Sequence, residues 1–161
     1  MSEATITPAA MSDLPRVVDL ARRIWPEAFA GILPADRIPG MLDEIYALDT
    51  LAADIAERGH QYWLAAAGRD LGYASAYRAD GRVWIKKLYL LPETRGLGLG
   101  KALIATARAH FGPDLPVALY VNDGNVPAIA FYRSQGFEIE QHVPVQMGPY
   151  EFTDYVMVRP A

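Results

Sequence analysis

The chain has 161 residues, 52% of them apolar, with no cysteine and a formal net charge of −4. That length supports one domain, residues 1–161, with a core of its own. The composition excludes a disordered chain, disulfides, thiolate metal sites and a cysteine acyl-enzyme, and the lack of a basic tract argues against a nucleic-acid partner while suiting a cationic small substrate.

Ala4 to Thr7 reads as a first strand. Ser12 or Asp13 can cap a helix whose apolar stripe is Leu14, Val17, Val18, Ala21, Ile24 and Trp25, with Pro26 expected to stop it. Asp36 can cap a second helix, with Pro39 in its first turn and Ile38, Met41, Leu42 and Ile45 inward. Thr50 can cap a third, Leu51 to Arg58, closed by Gly59. A three-stranded meander follows: Gln61 to Ala67, Leu71 to Arg78, and Arg82 to Leu91, with Asp80-Gly81 as the hairpin signal between the last two.

The helix after the meander carries Leu99, Leu103, Ala107 and Phe111 on one face and ends near Gly112-Pro113; His110 beside that stripe reads as a packed histidine. Val117 to Val121 is a further strand. Asn125 can cap the helix from Val126 to Gln135, with Pro127 in its first turn and Gly136 after it. Phe137 to about Val145 and Glu151 to Val158 complete the set, joined by a turn at Gly148-Pro149.

The chemistry is concentrated between Trp84 and Arg108. An apolar run ends at Pro92, three glycines (Gly96, Gly98 and Gly100) fall at every second position, and a helix begins. Such a turn offers free backbone N–H groups and the positive end of a helix dipole, which favour a phosphate or diphosphate. The dinucleotide fingerprint needs G-x-G-x-x-G, and the mononucleotide loop needs a glycine at Arg95 and a hydroxyl at Ala102. Neither fits.

What fits is Arg95-x-x-Gly98-x-Gly100, the R/Q-x-x-G-x-G/A acyl-CoA motif, and with Leu88-Tyr89-Leu90-Leu91-Pro92 before it the stretch resembles the GNAT superfamily of N-acetyltransferases. The plain alternative is a glycine-rich turn ahead of an ordinary helix. A second run, Asn122-x-x-Asn125-x-x-Ala128-x-x-Phe131-Tyr132-x-x-x-Gly136-Phe137, is similar to the second motif of that superfamily. More weakly, Ile24 to Glu27, Gly31 to Pro34 and Thr153 to Met157 resemble its polyamine-acetyltransferase-like members.

The resemblance implies an α/β fold whose mixed, splayed central sheet is flanked by helices. The strands carrying Leu88 to Leu90 and Val117 to Val121 would run parallel and part, with a pantetheine arm against Leu88, Tyr89 and Leu90. The diphosphate would rest on Arg95, Gly96, Leu97, Gly98, Leu99, Gly100 and Lys101. Asn125 would either touch the pantetheine or simply cap its helix, and Tyr132 would lie by the sulfur and protonate the departing thiolate, unless it is a core aromatic.

Many members carry a glutamate on the strand before the loop as general base, and here Lys86 and Lys87 stand in that neighbourhood. An alkylamine of pKa about 10.4 is neutral in only about one part in a few thousand at pH 7, so its proton needs a route. Glu27, Asp154, His142 or a water chain are the candidates. Trp25, Glu27, Phe29, Tyr46, Tyr73, Tyr77 and Tyr150 could line an acceptor pocket, with Asp154 nearby; ordinary packing is the alternative for most.

The expected function is transfer of acetyl from acetyl-CoA to a primary amine of a small molecule, a polyamine among them, or of a peptide, by direct attack. The rivals are an acyl-CoA-binding module without turnover and a phosphate-loop nucleotide enzyme. His60, His110 and His142 lack ligand spacing, so no metal is expected. No apolar run approaches membrane length and Met1 to Leu14 lacks a signal-peptide pattern, so a cytoplasmic protein without membrane contact is expected. A homodimer through the last strands is left open.

Overall fold

The computed structural model describes residues 4–147 and 149–161, so the expected turn at Gly148-Pro149 falls partly outside the described residues. β1 (Thr5–Pro8) leads through a short 3-10 turn into α1 (Leu14–Ala28), which buries Leu14, Val17, Leu20, Ala21, Ile24 and Trp25. Asp13 stands at the helix entrance, but its carboxylate turns back to accept the Ala10 N–H at 2.9 Å and an Arg16 N–H at 3.0 Å. The stop expected at Pro26 does not occur. A proline in the last turn forfeits one bond, to the carbonyl of exposed Arg22, which water can satisfy. Burial of Trp25 and Phe29 keeps the chain helical past it.

α2 (Ile38–Ile45) starts after Arg37, and no side chain caps it, Asp36 included. α3 (Leu48–Arg58) starts earlier than expected and takes Thr50 into its first turn, because the Ala47 carbonyl already accepts the Leu51 N–H at 3.1 Å. Gly59, at φ 71°, closes it in the left-handed region that glycine adopts without strain.

The remaining elements are β2 (Gln61–Ala66), β3 (Asp70–Ala79), β4 (Arg82–Leu90), α4 (Leu99–Phe111), β5 (Val117–Asn122), α5 (Val126–Ser134), β6 (Glu138–Met147) and β7 (Tyr150–Arg159). The sheet order is β1-β2-β3-β4-β5-β7-β6, and β4–β5 is its parallel pair. Alternation along the strands divides the core. Tyr62, Leu64, Tyr73 and Leu91 pack under α1, α2 and α3, whereas Val83, Ile85, Val117, Leu119 and Met157 pack with Leu103, Ile104 and Ala107 of α4 and Tyr132 of α5. His110 is exposed, with its ring against the edges of Trp63 and Phe111.

One irregularity positions the site. Ser75 pairs with Lys87 and Ala76 with Ile85, so Lys86 is the extra residue of a β-bulge. The bulge resets the strand's parity: Val83 and Ile85 face the α4 layer before it, and Leu88 and Leu90 face the same layer after it. Lys87 is thereby turned toward α3. Its ammonium sits 3.9 Å from Asp54 Oδ2 and 5.5 Å from the ring centres of both Tyr46 and Tyr62, and the residue is 6% exposed. Burial, then repulsion by Lys86, brings its pKa down to about 8 against the pull of Asp54.

Asp54 is buried as well. It accepts hydrogen bonds from Arg58 Nε and from the Tyr62 hydroxyl, both at 2.9 Å. Burial alone would raise its carboxyl, but Arg58, then Lys87, Tyr62 and His60, hold it below its usual value.

Candidate active site

The parallel pairing of β4 with β5 covers three positions, Val83–Val117, Trp84–Ala118 and Ile85–Leu119. Beyond them β4 stays with β3 as far as Leu90 and β5 stays with β7 as far as Asn122, so the two strands part at the bulge. The backbone groups of β4 from Lys86 to Leu90 that point away from β3 therefore meet no strand. An open cleft of about 1900 Å³ fills this wedge and runs from the glycine loop to the C-terminal part of α1.

At the end of β4, Leu91 starts a 3-10 turn, Pro92–Thr94, pinned by the buried Thr94 hydroxyl donating to the Leu91 carbonyl at 2.7 Å. Arg95 and Leu97 donate their N–H groups to the carbonyls of Pro92 and Thr94. Among the described residues, the N–H groups of Gly96, Gly98, Leu99, Gly100 and Lys101 donate to no backbone carbonyl. The expected cradle thus narrows to five amides at the α4 N-terminus, with the Arg95 and Lys101 side chains on the cleft wall.

The glycines have different reasons. Gly96 and Gly98 lie at φ 82° and 74°. Gly100 is helical, but a Cβ there would come within 2.8 Å of Phe131 Cζ. It lets the first turn of α4 close on α5. We expect Gly100→Ala to push these helices apart and weaken CoA binding about tenfold by calorimetry, with Phe131→Leu in the same chain restoring most of it. Unchanged affinity in the single variant would separate this contact from the cradle.

On α5, the Asn125 side-chain oxygen accepts the Ala128 N–H at 3.3 Å, so it caps the helix while also lining the cleft. Phe131 and Tyr132 both reach the cleft, Phe131 against Gly100 and Tyr132 against Phe137. Tyr132 is 9% exposed, and among the described residues no group hydrogen-bonds its hydroxyl. Burial holds its phenol well above the ordinary value, so it stays protonated at any physiological pH.

Of the expected acceptor-side residues, Trp25, Glu27, Phe29, Tyr77 and Asp154 line the cleft. Tyr46 does not. It is 2% exposed, and its hydroxyl is shared with that of Tyr73 inside the α1–α2–α3 core. Tyr73 is wholly buried in the same core, and Tyr150 packs beside it near Gly40. The amphipathic helices claim these rings for packing before any ligand can.

His142 is exposed and bonds Asp123 Oδ2 at 3.0 Å, outside the cleft lining. Lys86 lines the cleft, whereas Lys87 does not. The inward turn of Lys87 escaped the sequence reading. Asp54, three residues after core Leu51 on α3, was an available signal of a buried charge, but it did not point to its partner.

A parallel strand pair that opens onto unpaired helix-terminal amides suits an extended ligand tipped with diphosphate, and the buried phenol of Tyr132 lines the same cleft. Residues 58–139 match the family model of the acetyltransferase (GNAT) domain. Over 155 residues the chain is 34% identical to an uncharacterized N-acetyltransferase of Mycobacterium bovis, covering 92% of this chain and 98% of that one. It is 25% identical over 138 residues to the spermidine N(1)-acetyltransferase of Thermoplasma acidophilum, covering 81% of this chain and 86% of that one. A solved structure of the PaiA N-acetyltransferase from Thermoplasma acidophilum in complex with coenzyme A shares the fold, with a TM-score of 0.84 at 23% identity over 99% of both chains.

The chain belongs to the GNAT acetyltransferase family. It is an acetyl-CoA-dependent N-acetyltransferase.

Proposed function

We propose that this protein transfers acetyl from acetyl-CoA to a primary amine of a small molecule or peptide by direct attack in a ternary complex. The observation that carries the reading is the wedge between β4 and β5, which ends on the five unpaired amides from Gly96 to Lys101. The β4 backbone beyond the bulge can bond the pantetheine amides as an added strand, and Arg95 and Lys101 offset the diphosphate charge. Tyr132, protonated and buried at the inner end, donates to the leaving sulfur.

A polyamine acceptor is favoured by two carboxylates in the same cleft, Asp154 in its depth and Glu27 at its exposed rim. The similarity to a spermidine acetyltransferase points the same way. Lys86 and Lys87, standing where a base is expected, are what favour a CoA-binding module without turnover, and that support weakens with Lys87 committed to α3.

The test combines calorimetry and thiol release. We expect micromolar CoA binding, no ATP binding, and thiol release from acetyl-CoA in the presence of spermidine above that with a monoamine of similar pKa. CoA binding without release across small amines and peptides would favour the module, and ATP binding without CoA binding would favour the nucleotide enzyme.

A further inference from the structure

Asp154 lies on β7 opposite Asn122 of β5 and Val143 of β6, level with the parted end of the β4–β5 wedge. The residue lines the cleft and is 9% exposed. Among the described residues no hydrogen bond or ion pair reaches its carboxylate. A buried carboxylate with no partner is costly, and such groups concentrate where a ligand completes them.

Among the described residues, no cation pairs with it. Across the sheet stand neutral Asn122 and Val143, and the Tyr89 phenol on β4 feels both Tyr132 and Asp154. Asp123, after β5, is engaged with His142 of β6 and adds negative charge. The cleft's other charged groups are Glu27 on α1, Asp80 and Arg82 at the β3–β4 hairpin, Lys86 at the bulge, and Arg95 and Lys101 at the glycine loop. Arg82 is paired with Glu140.

Resting on the amine-acetyltransferase reading, we propose that Asp154 seats the acceptor's ammonium and accepts its proton, acting as the general base of the reaction. An N–H bond of the ammonium breaks and its proton passes to an Asp154 carboxylate oxygen. The freed lone pair forms the C–N bond at the thioester carbonyl carbon while the carbonyl π pair moves to oxygen. That pair returns as the C–S bond breaks, and the departing sulfur takes the Tyr132 proton. The nitrogen still carries one proton more than the amide needs; it passes to the Tyr132 oxygen and restores the phenol, while Asp154 releases its own to solvent. Ammonium and thioester become amide, thiol and one proton.

Burial, and then Asp123, raise the Asp154 carboxyl to about 6, so it is ionised at pH 7 yet more basic than a solvated aspartate. The reacting pair in free solution is then ionised enzyme and protonated amine. We expect kcat/KM with spermidine or another alkylamine to rise through pH 6 and stay level to about pH 9.

The test measures that profile in the wild type and in Asp154→Asn, alongside CoA binding and thermal unfolding. The variant should lose at least about 100-fold in kcat/KM at pH 7. It should also lose the step near pH 6 and climb about tenfold per pH unit from 7 to 9, because only amine already neutral in solution can react. Its deficit should shrink for a peptide α-amine, whose pKa is about 7.7–8.0. CoA affinity should be unchanged, and the thermal midpoint at pH 7.5 should not fall, since the substitution removes an unpaired buried charge. A wild-type enzyme that binds CoA and turns over, with the same pH profile in Asp154→Asn, overturns this assignment alone. A wild type that binds no CoA overturns the parent reading and this one with it.

Discussion

We expect Tyr132→Phe to lower kcat at least about 100-fold and to leave the Kd for acetyl-CoA within about twofold. The substitution removes one oxygen and keeps the ring, whose packing against Phe131 and Phe137 holds the end of α5. Because no described group hydrogen-bonds that hydroxyl, its loss leaves no partner stranded, and the fold should be unaffected. What would be lost is the proposed proton source. Expelling the thiolate unprotonated is the harder route, and a water in the space left by the hydroxyl is poorly oriented to help. The loss should appear in kcat and in kcat/KM for the amine, measured by steady-state thiol release, with acetyl-CoA affinity taken from calorimetry. Full turnover in the phenylalanine variant would remove Tyr132 from the proton path and make it a core aromatic.

The largest stability effect should come from outside the cleft. Asp54→Asn is expected to cost about 3–4 kcal/mol at pH 7, read as a shift in urea midpoint at constant slope. The substitution strands the Lys87 ammonium, which is 6% exposed and has Asp54 as its nearest counter-charge. The pH dependence follows from linkage. Lys87 has a folded-state pKa depressed to about 8, so folding binds fewer protons than unfolding does there. Stability therefore rises with pH between that value and the unfolded lysine value of about 10.4. The deficit of Asp54→Asn should shrink from pH 7 to pH 10 as Lys87 discharges, and Lys87→Met in the same chain should recover most of it. A deficit below about 1 kcal/mol, or one insensitive to Lys87→Met, would show that the pair does not hold α3 to the bulged strand.

The sequence exposed the elements that announce themselves locally. Asp80 and Gly81, at φ 54° and 70°, are the left-handed pair a two-residue hairpin needs, and Gly59 and Gly136 sit at helix ends with positive φ. Strand and helix bounds resting on such residues came within a residue or two. Pro26 misled because a proline's effect depends on which carbonyl it deprives, and Arg22 faces water.

The candidate site was legible where backbone chemistry makes it, in the glycine loop and in Asn125, and less so where side chains cross the sheet. Tyr46 and Tyr73 could not be told from pocket residues without knowing that their hydroxyls meet each other. Lys86 and Lys87 looked alike in sequence. A single bulged residue sends one into the cleft and the other into a buried ion pair. Bulges arise from pairing with a distant strand, and no local pattern announces them.

The most direct measurement is a crystal structure of the protein with coenzyme A. Its diphosphate oxygens should lie within hydrogen-bond distance of the amides of Gly96 and of Gly98 to Lys101, with the pantetheine along β4 from Leu88 to Leu90 and the sulfur facing the Tyr132 hydroxyl. Coenzyme bound anywhere else, or β4 and β5 zipped together past Ile85 and Leu119, would contradict it.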